Sequence, residues 1–187
     1  MAQENLPSIL ALTGSLRAQS YNSALLRAAV KNHSGKVSIN IYDDLARLPM
    51  YNQDFDNENP PPEVVELRGR VAAADGLFIV TPEHNASIPA ALKNAIDWCS
   101  TAPANGIMVA KPTAIAGASP GAFGSARAQI ALRQILASIG SDVLTKPEVT
   151  VFQCHERIDA DGNVNDPFTL SLLDDLLGAL TARIARG

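Results

Sequence analysis

The feature that most constrains this chain is an alternation. Short apolar runs are followed by turns rich in Gly, Pro, Ser or Asn, and then by segments with helical periodicity. Ser8 to Thr13 (SILALT) is the first such run and ends in Gly14. From Ser23 the spacing of Leu25, Leu26, Ala29 and Val30 predicts a helix. Lys36 to Tyr42 alternates Val37, Ile39 and Ile41 with polar residues, the pattern of a strand near a sheet edge. Pro49 to Pro62 is polar and Pro-rich and reads as a long loop, a length that is usually functional in a compact domain. Glu63 to Ala74 is helical again, with Val64, Leu67 and Val71 on one face.

Gly76 to Thr81 (GLFIVT) is continuously apolar, as a central parallel strand requires. A helix over Pro89 to Trp98, a strand over Thr113 to Gly117 and a helix over Gly124 to Ile139 follow, with Gly140 placed to terminate the last. Glu148 to Phe152 is read as the fifth strand. Asp166-Pro167 opens the final helix with a cap and a first-turn proline, and Leu170, Leu173, Leu177 and Leu180 form its apolar stripe. Five strand–helix units predict an α/β fold, a doubly wound parallel sheet with helices on both faces. No linker, repeat or low-complexity tract interrupts it, and 187 residues suit a single domain over residues 1–187.

Charge narrows the function. Fifteen basic against 19 acidic residues give a net charge of -4, no electrostatic basis for binding nucleic acid or an anionic membrane. The start, Met1-Ala2-Gln3-Glu4-Asn5, has neither the basic nor the apolar region of a secretory leader, and no run is long enough to span a membrane. Cys99 and Cys154 are isolated, with no metal-ligand spacing, and are expected to be free thiols. A cytoplasmic location is the corresponding expectation.

Open parallel sheets bind ligands beyond the C-terminal ends of their strands, where strand order reverses. Three loops fall there, Gly14 to Asn22, Pro82 to Ser87 and Ala118 to Gly124, all rich in Gly, Ser, Asn or Pro. In the first, Ser15, Ser20, Asn22 and Ser23 surround a helix start with Arg17 in the turn, an arrangement suited to an anion. The local pattern fits phosphate binding and plain helix capping equally well, and GxGxxG and GxxxxGK[ST] are absent. In the second, Pro82 and Pro89 stiffen a turn that can present backbone amides and His84 to a flat ring. His84 has no Asp or Ser partner nearby, and GxSxG is absent, so a hydrolase is not indicated. The third loop, GASPGAFG, reads by itself as a strand-to-helix turn.

Together the loops are more specific. GSLRAQSYNSALLRA, TPEHNASIPAALKNAIDWCS and GASPGAFGSARAQIALRQIL resemble, in order and spacing, the NADPH-dependent FMN reductase family, which includes bacterial quinone and chromate reductases. LPMYNQDFD, Leu48 to Asp56, is similar to the segment that follows the second strand in that family. The resemblance implies a flavodoxin-like, five-stranded sheet of order 2-1-3-4-5. It implies FMN phosphate at Ser15, Arg17, Ser20, Asn22 and Ser23. The flavin ring is then expected against Pro82, Glu83, His84 and Asn85, with Ser87 and Ser119 close by. NADPH or NADH is the implied electron donor, and quinones, chromate, ferric complexes or azo compounds are the implied acceptors. The flavin itself is the reactive centre, with no catalytic side chain and no metal. A homodimer is implied, with Tyr51 and Asn52 near the partner's flavin, and a tetramer through Arg127 in some members. Two positions depart from the pattern: His84 stands where the family usually has Tyr, and Thr101 where many relatives have a basic residue. A flavodoxin-type electron carrier is the alternative on the same fold.

Overall fold

The computed structural model describes residues 6–33, 35–101 and 106–187, so the Met1–Asn5 stretch read for a leader lies outside the described residues. The elements follow in the order β1 (Ser8–Thr13), α1 (Tyr21–Asn32), β2 (Ser38–Tyr42), α2 (Pro62–Ala73), β3 (Gly76–Val80), α3 (Ala90–Ser100), β4 (Pro112–Ala118), α4 (Ala126–Ser138), β5 (Asp142–Val143), β6 (Val149–Val151) and α5 (Pro167–Ile184). All strand pairs are parallel, in the order β2-β1-β3-β4-β5, with β6 also on β4.

The two-residue period of the strands divides the core into two layers. Leu10, Leu12, Leu77, Ile79 and Ile115 face one side, where Val64, Leu67 and Val71 of α2, Leu92 and Ile96 of α3, and Leu132 and Leu136 of α4 cover them. Ile9, Ala11, Phe78, Val80, Ala114 and Ala116 face the other, under Leu25, Leu26 and Ala29 of α1 and Leu173, Leu176, Leu177 and Leu180 of α5. Every residue of β3 is buried, as its unbroken apolar run predicts. Burial of each such large side chain stabilises the fold by roughly 1.5–3 kcal/mol. On β2, buried only at Tyr42, the alternating pattern gives the edge strand that was expected.

The fifth strand differs from the expectation. Glu148 to Phe152 contracts to β6, and an unforeseen β5 pairs further back along the same edge. Val143 lies beside Thr113 and Val149 beside Ala116, so six residue steps on this edge span what three span on β4. Pro147, without an N–H, sits in the excursion and cannot donate to the ladder. A two-residue strand carries no periodicity for a sequence reading to detect.

Candidate functional site

The strand order reverses between β1 and β3, and the loops after β1, β3 and β4 stand at the C-terminal edge beside that reversal. The first loop is tied to β3 by Gly14, whose N–H donates to Val80 O at 2.9 Å. Ser15 Oγ accepts weakly from Arg17 N at 3.4 Å, while the Arg17 guanidinium is exposed and, among the described residues, hydrogen-bonds only within its own loop, at Gln19 O. Ser20 is the N-cap of α1, and its Oγ accepts from Asn22 N and Ser23 N, both at 3.2 Å. Asn22 is buried with both ends of its amide engaged: Nδ2 donates to Ala118 O and Oδ1 accepts from Ala118 N, each at 2.9 Å. That pair locks α1 to the end of β4. Ser20 and Asn22 therefore have structural work in the protein alone, whereas Ser15, Arg17 and the half-buried Ser23 line the open side.

The second loop is a tight turn. His84 N donates to Ser87 O at 3.0 Å and Ser87 N to His84 O at 2.9 Å, around Asn85 and Ala86 at φ 50° and 62°. Two consecutive non-glycine residues in the left-handed region are rare, and such geometry gathers at functional sites. His84, Asn85 and Ser87 are exposed, and Pro82 is half-buried. Glu83 points elsewhere. Its carboxylate, only 7% exposed, accepts from Arg127 Nε at 2.7 Å and from the N–H groups of Arg127 and Ala128 at 3.0 and 3.4 Å. Arg127, read from the family as a tetramer contact, is thus engaged within its own chain, its guanidinium also 4.8 Å from the centre of the Phe123 ring.

The third loop is pinned from below. Ser119 N donates to Val151 O at 3.0 Å, and its Oγ accepts from Gly121 N at 3.2 Å. At Gly117 an added Cβ would overlap Thr81 O and Ser125 Oγ, so only glycine lets β4 pass between the second loop and α4.

Residues that sequence reasoning left without a role hold the rim. Asn94 and Trp98, one turn apart on α3, reach the loop after β2: Asn94 Nδ2 and Trp98 Nε1 donate to Pro49 O at 2.9 and 2.8 Å, and Tyr51 N donates to Asn94 Oδ1 at 2.7 Å. Tyr51 packs edge-on against Trp98, with ring centres 4.9 Å apart. Further along, Arg68 of α2 donates to Asp56 Oδ1 at 2.7 Å and to Trp98 O at 2.8 Å, and the Thr101 hydroxyl donates to Asp56. Burial alone would raise the Asp56 carboxyl, but Thr101 and Arg68 outweigh it and hold it below the usual carboxylate range. Thr101 completes this cluster. The signal for the two anchors was available in LKNAIDW, where a buried Asn and Trp share one helix face.

A cavity of about 530 Å³ opens behind the first loop, between α1 and the segment after β6, lined by Arg17, Ser20, Tyr21, Arg27, His155 and Asp159 among others. It includes no residue of the second or third loop. Cys99 and Cys154 are buried and free, and burial pushes their thiols up, to about 12 and about 11. Among the described residues no cluster of His, Cys, Asp and Glu is placed to hold a metal, and no helix is long and apolar enough to cross a membrane.

Comparison with known proteins decides the family. The family model described as NADPH-dependent FMN reductase matches residues 7–156. The chain belongs to the NADPH-dependent FMN reductase family. It is 41% identical over 178 residues to an NAD(P)H-dependent FMN reductase of Pseudomonas aeruginosa, covering 95% of each chain. It is 39% identical over 176 residues to a quinone reductase of Escherichia coli, covering 93% of this chain and 92% of the relative. Among solved structures, the flavoenzyme NAD(P)H:(acceptor) oxidoreductase of Paracoccus denitrificans superposes with a TM-score of 0.87 at 32% identity, covering 97% of this chain and 98% of that one. The fold is flavodoxin-like, and as a member of this family the chain is an FMN-dependent reductase supplied with electrons by NAD(P)H.

Proposed function

We propose that this chain is an NAD(P)H:quinone reductase whose FMN lies across the three loops, with donor and acceptor using one exposed face in turn. The observation that carries the placement is a set of open donors beside the strand reversal. Among the described residues, the backbone N–H groups of Leu16, Ala18 and Gln19 before α1, and of Glu83, Asn85 and Ala86 in the second loop, reach no acceptor. The first group, with Ser15, Ser23 and the exposed Arg17 guanidinium at the start of α1, fits a phosphate. Ser20 and Asn22 hold that cradle in shape from beneath.

FMN, when bound, supplies the two-electron chemistry, accepting hydride from the nicotinamide and returning electrons to the acceptor. The protein's part is placement and electrostatics. Asn85 and Ala86, held in the left-handed turn with unpaired N–H groups, offer donors suited to an edge that gains negative charge. Ser119 N, already bonded to Val151 O, is not such a donor; its hydroxyl, half-buried, is free to give its proton. His84 and Ser87 border the exposed face. No acid–base side chain is required for hydride transfer.

Quinone reductases among the relatives, 39% identical in the Escherichia coli case, support a quinone as acceptor. Chromate, ferric complexes and azo compounds are further acceptors for the same slot. We further propose a homodimer in which Tyr51 and Asn52 approach the partner's flavin; the anchoring of Pro49 and Tyr51 by Asn94 and Trp98, beside the exposed Met50 and Phe55, supports a rigid apolar contact there.

The test is an absorbance spectrum of the purified protein under anaerobic conditions. Flavin bands near roughly 375 and 450 nm, bleached by NADPH or NADH and restored by a benzoquinone, are the expected result. A protein that takes up no FMN, or whose bound FMN neither nucleotide bleaches, would overturn the reading.

A further inference from the structure

We infer that Glu83 is a positioning residue, whose carboxylate caps α4 from the neighbouring loop and thereby sets the geometry of the His84–Ser87 turn against the flavin ring. The inference rests on the flavin placement proposed above. The start of α4 lacks the usual bond from its own cap residue. Ser125, the N-cap residue, makes no side-chain bond to the first turn; its hydroxyl accepts instead from Gln129 Nε2 at 3.1 Å. A helix start needs acceptors for its first N–H groups, ordinarily supplied by the cap residue itself at the second and third positions. In α4 those positions are Arg127 and Ala128, and their N–H groups donate to Glu83 Oε2 at 3.0 and 3.4 Å. The other oxygen, Oε1, takes Arg127 Nε at 2.7 Å, and Arg127 Nη2 adds a closer contact. A nearly buried carboxylate is tolerable in this position because the helix terminus and the guanidinium compensate its charge.

The turn needs such an anchor. Asn85 and Ala86 both have left-handed backbones although neither is glycine, and conformations of this kind persist only where the surroundings over-determine them. The two bonds between His84 and Ser87 are internal to the turn and do not place it in the molecule. Among the described residues, Glu83 is the only residue from Pro82 to Ser87 whose side chain bonds outside this segment. Arg127 in turn stacks on Phe123, so one carboxylate joins the second loop, the third loop and α4. Glu83 does not touch the flavin through its side chain; it determines where Asn85 N–H and Ala86 N–H point.

The experiment compares wild type with Glu83→Ala, Glu83→Gln and Glu83→Asp. Amide exchange at His84 and Ser87 is measured on FMN-free protein. The FMN dissociation constant and the visible circular dichroism of the bound flavin are measured after reconstitution. Glu83→Gln keeps one acceptor for the α4 N–H groups but sets its NH2 against the Arg127 guanidinium, a second donor, and is expected to lie between wild type and Glu83→Ala in FMN affinity and flavin dichroism. Glu83→Ala is expected to speed exchange at His84 and Ser87, to weaken FMN about tenfold or more, and to change the flavin dichroism. Should Glu83→Ala fail to fold, Glu83→Asp, charged but one methylene short, carries the test with the same expected direction. Wild-type exchange, affinity and dichroism in the folded variants, with only a lower melting temperature, would overturn the inference and leave Glu83 a plain helix cap. Exchange on the FMN-free protein reports on the anchor whether or not the flavin placement holds.

Discussion

Two residues of the first loop, equally prominent in the sequence, behave differently in the structure. Arg17 is exposed and bonded only within its loop, so its removal leaves the fold intact. If it meets the FMN phosphate, Arg17→Ala removes a charge-assisted hydrogen bond worth about 1.5–3 kcal/mol, and the FMN dissociation constant should rise about 10- to 100-fold at unchanged melting temperature. Fluorescence titration checks this, and an unaltered constant places the phosphate elsewhere. Asn22 is the opposite case. Asn22→Ala leaves Ala118 N–H and C=O buried without partners and should lower stability by about 2–4 kcal/mol, read from denaturant unfolding. The sequence could not separate these roles, because loop composition marks a place where polar groups gather without saying which face inward. For the same reason Glu83 reads as a ring contact in the motif, although its carboxylate turns towards a helix 44 positions away. Such long-range pairings leave no local periodic trace.

At the scale of elements, the strands and helices with long periodic patterns were legible, and the shortest pieces were not. β1, β3 and α5 stand where their apolar runs and caps put them: Asp166 Oδ2 accepts from Thr169 N at 3.2 Å as the expected cap of α5. The split fifth edge was hidden, because a two-residue strand has no period of its own, and LKNAIDW marked Asn94 and Trp98 as sharing a helix face without naming the Pro49–Pro62 loop as what they hold. Gly117 shows how tightly the elements under the site interlock. It lies where β4 passes Thr81, just before the second loop, and Ser125 before α4, and an added Cβ would overlap backbone oxygen as well as side chain. Gly117→Ala should therefore cost about 3 kcal/mol, an overpacking penalty at the upper end of the usual range. At Gly121 the same methyl would be 3.7 Å from Ser119 Oγ, an ordinary contact, and Gly121→Ala should be near neutral. Paired thermal melts test the contrast, and equal losses at the two sites would show that β4 can move.

Across the whole molecule, the two helical layers are held at their margins by carboxylates, and this makes stability depend on pH in a definite direction. Asp174 of α5 meets buried His33 at the end of α1 at 2.6 Å and Lys36 at 3.3 Å. The His33 hydrogen bond is the largest influence on the Asp174 carboxyl and, with a lesser contribution from Lys36, outweighs the opposing effect of burial and holds it below its ordinary value. Asp166 is lowered chiefly by the Thr169 hydroxyl, with burial opposing and Arg157 assisting. Asp56 is lowered too, although burial, the largest single influence, works the other way. A carboxyl whose folded pKa lies below its unfolded one stabilises the fold fully above the unfolded value, about 4 for Asp, and loses that contribution as the pH falls through the folded value. Stability carried by these three groups should thus be level from neutrality down to about pH 5 and decline progressively below about pH 4. Asp174→Asn separates one contribution. It should lower stability at pH 7, where the ionised carboxylate otherwise pairs α5 with α1, and should flatten the decline at acid pH, so that variant and wild type converge at the lowest pH where both still fold. Because Asp174 is partly exposed, solvent screening limits the difference and added salt should reduce the Lys36 share further. Urea unfolding at a series of pH values gives both curves. Parallel curves, offset by a constant amount at every pH, would mean that Asp174 contributes through packing alone and that the His33 contact does not depend on its charge.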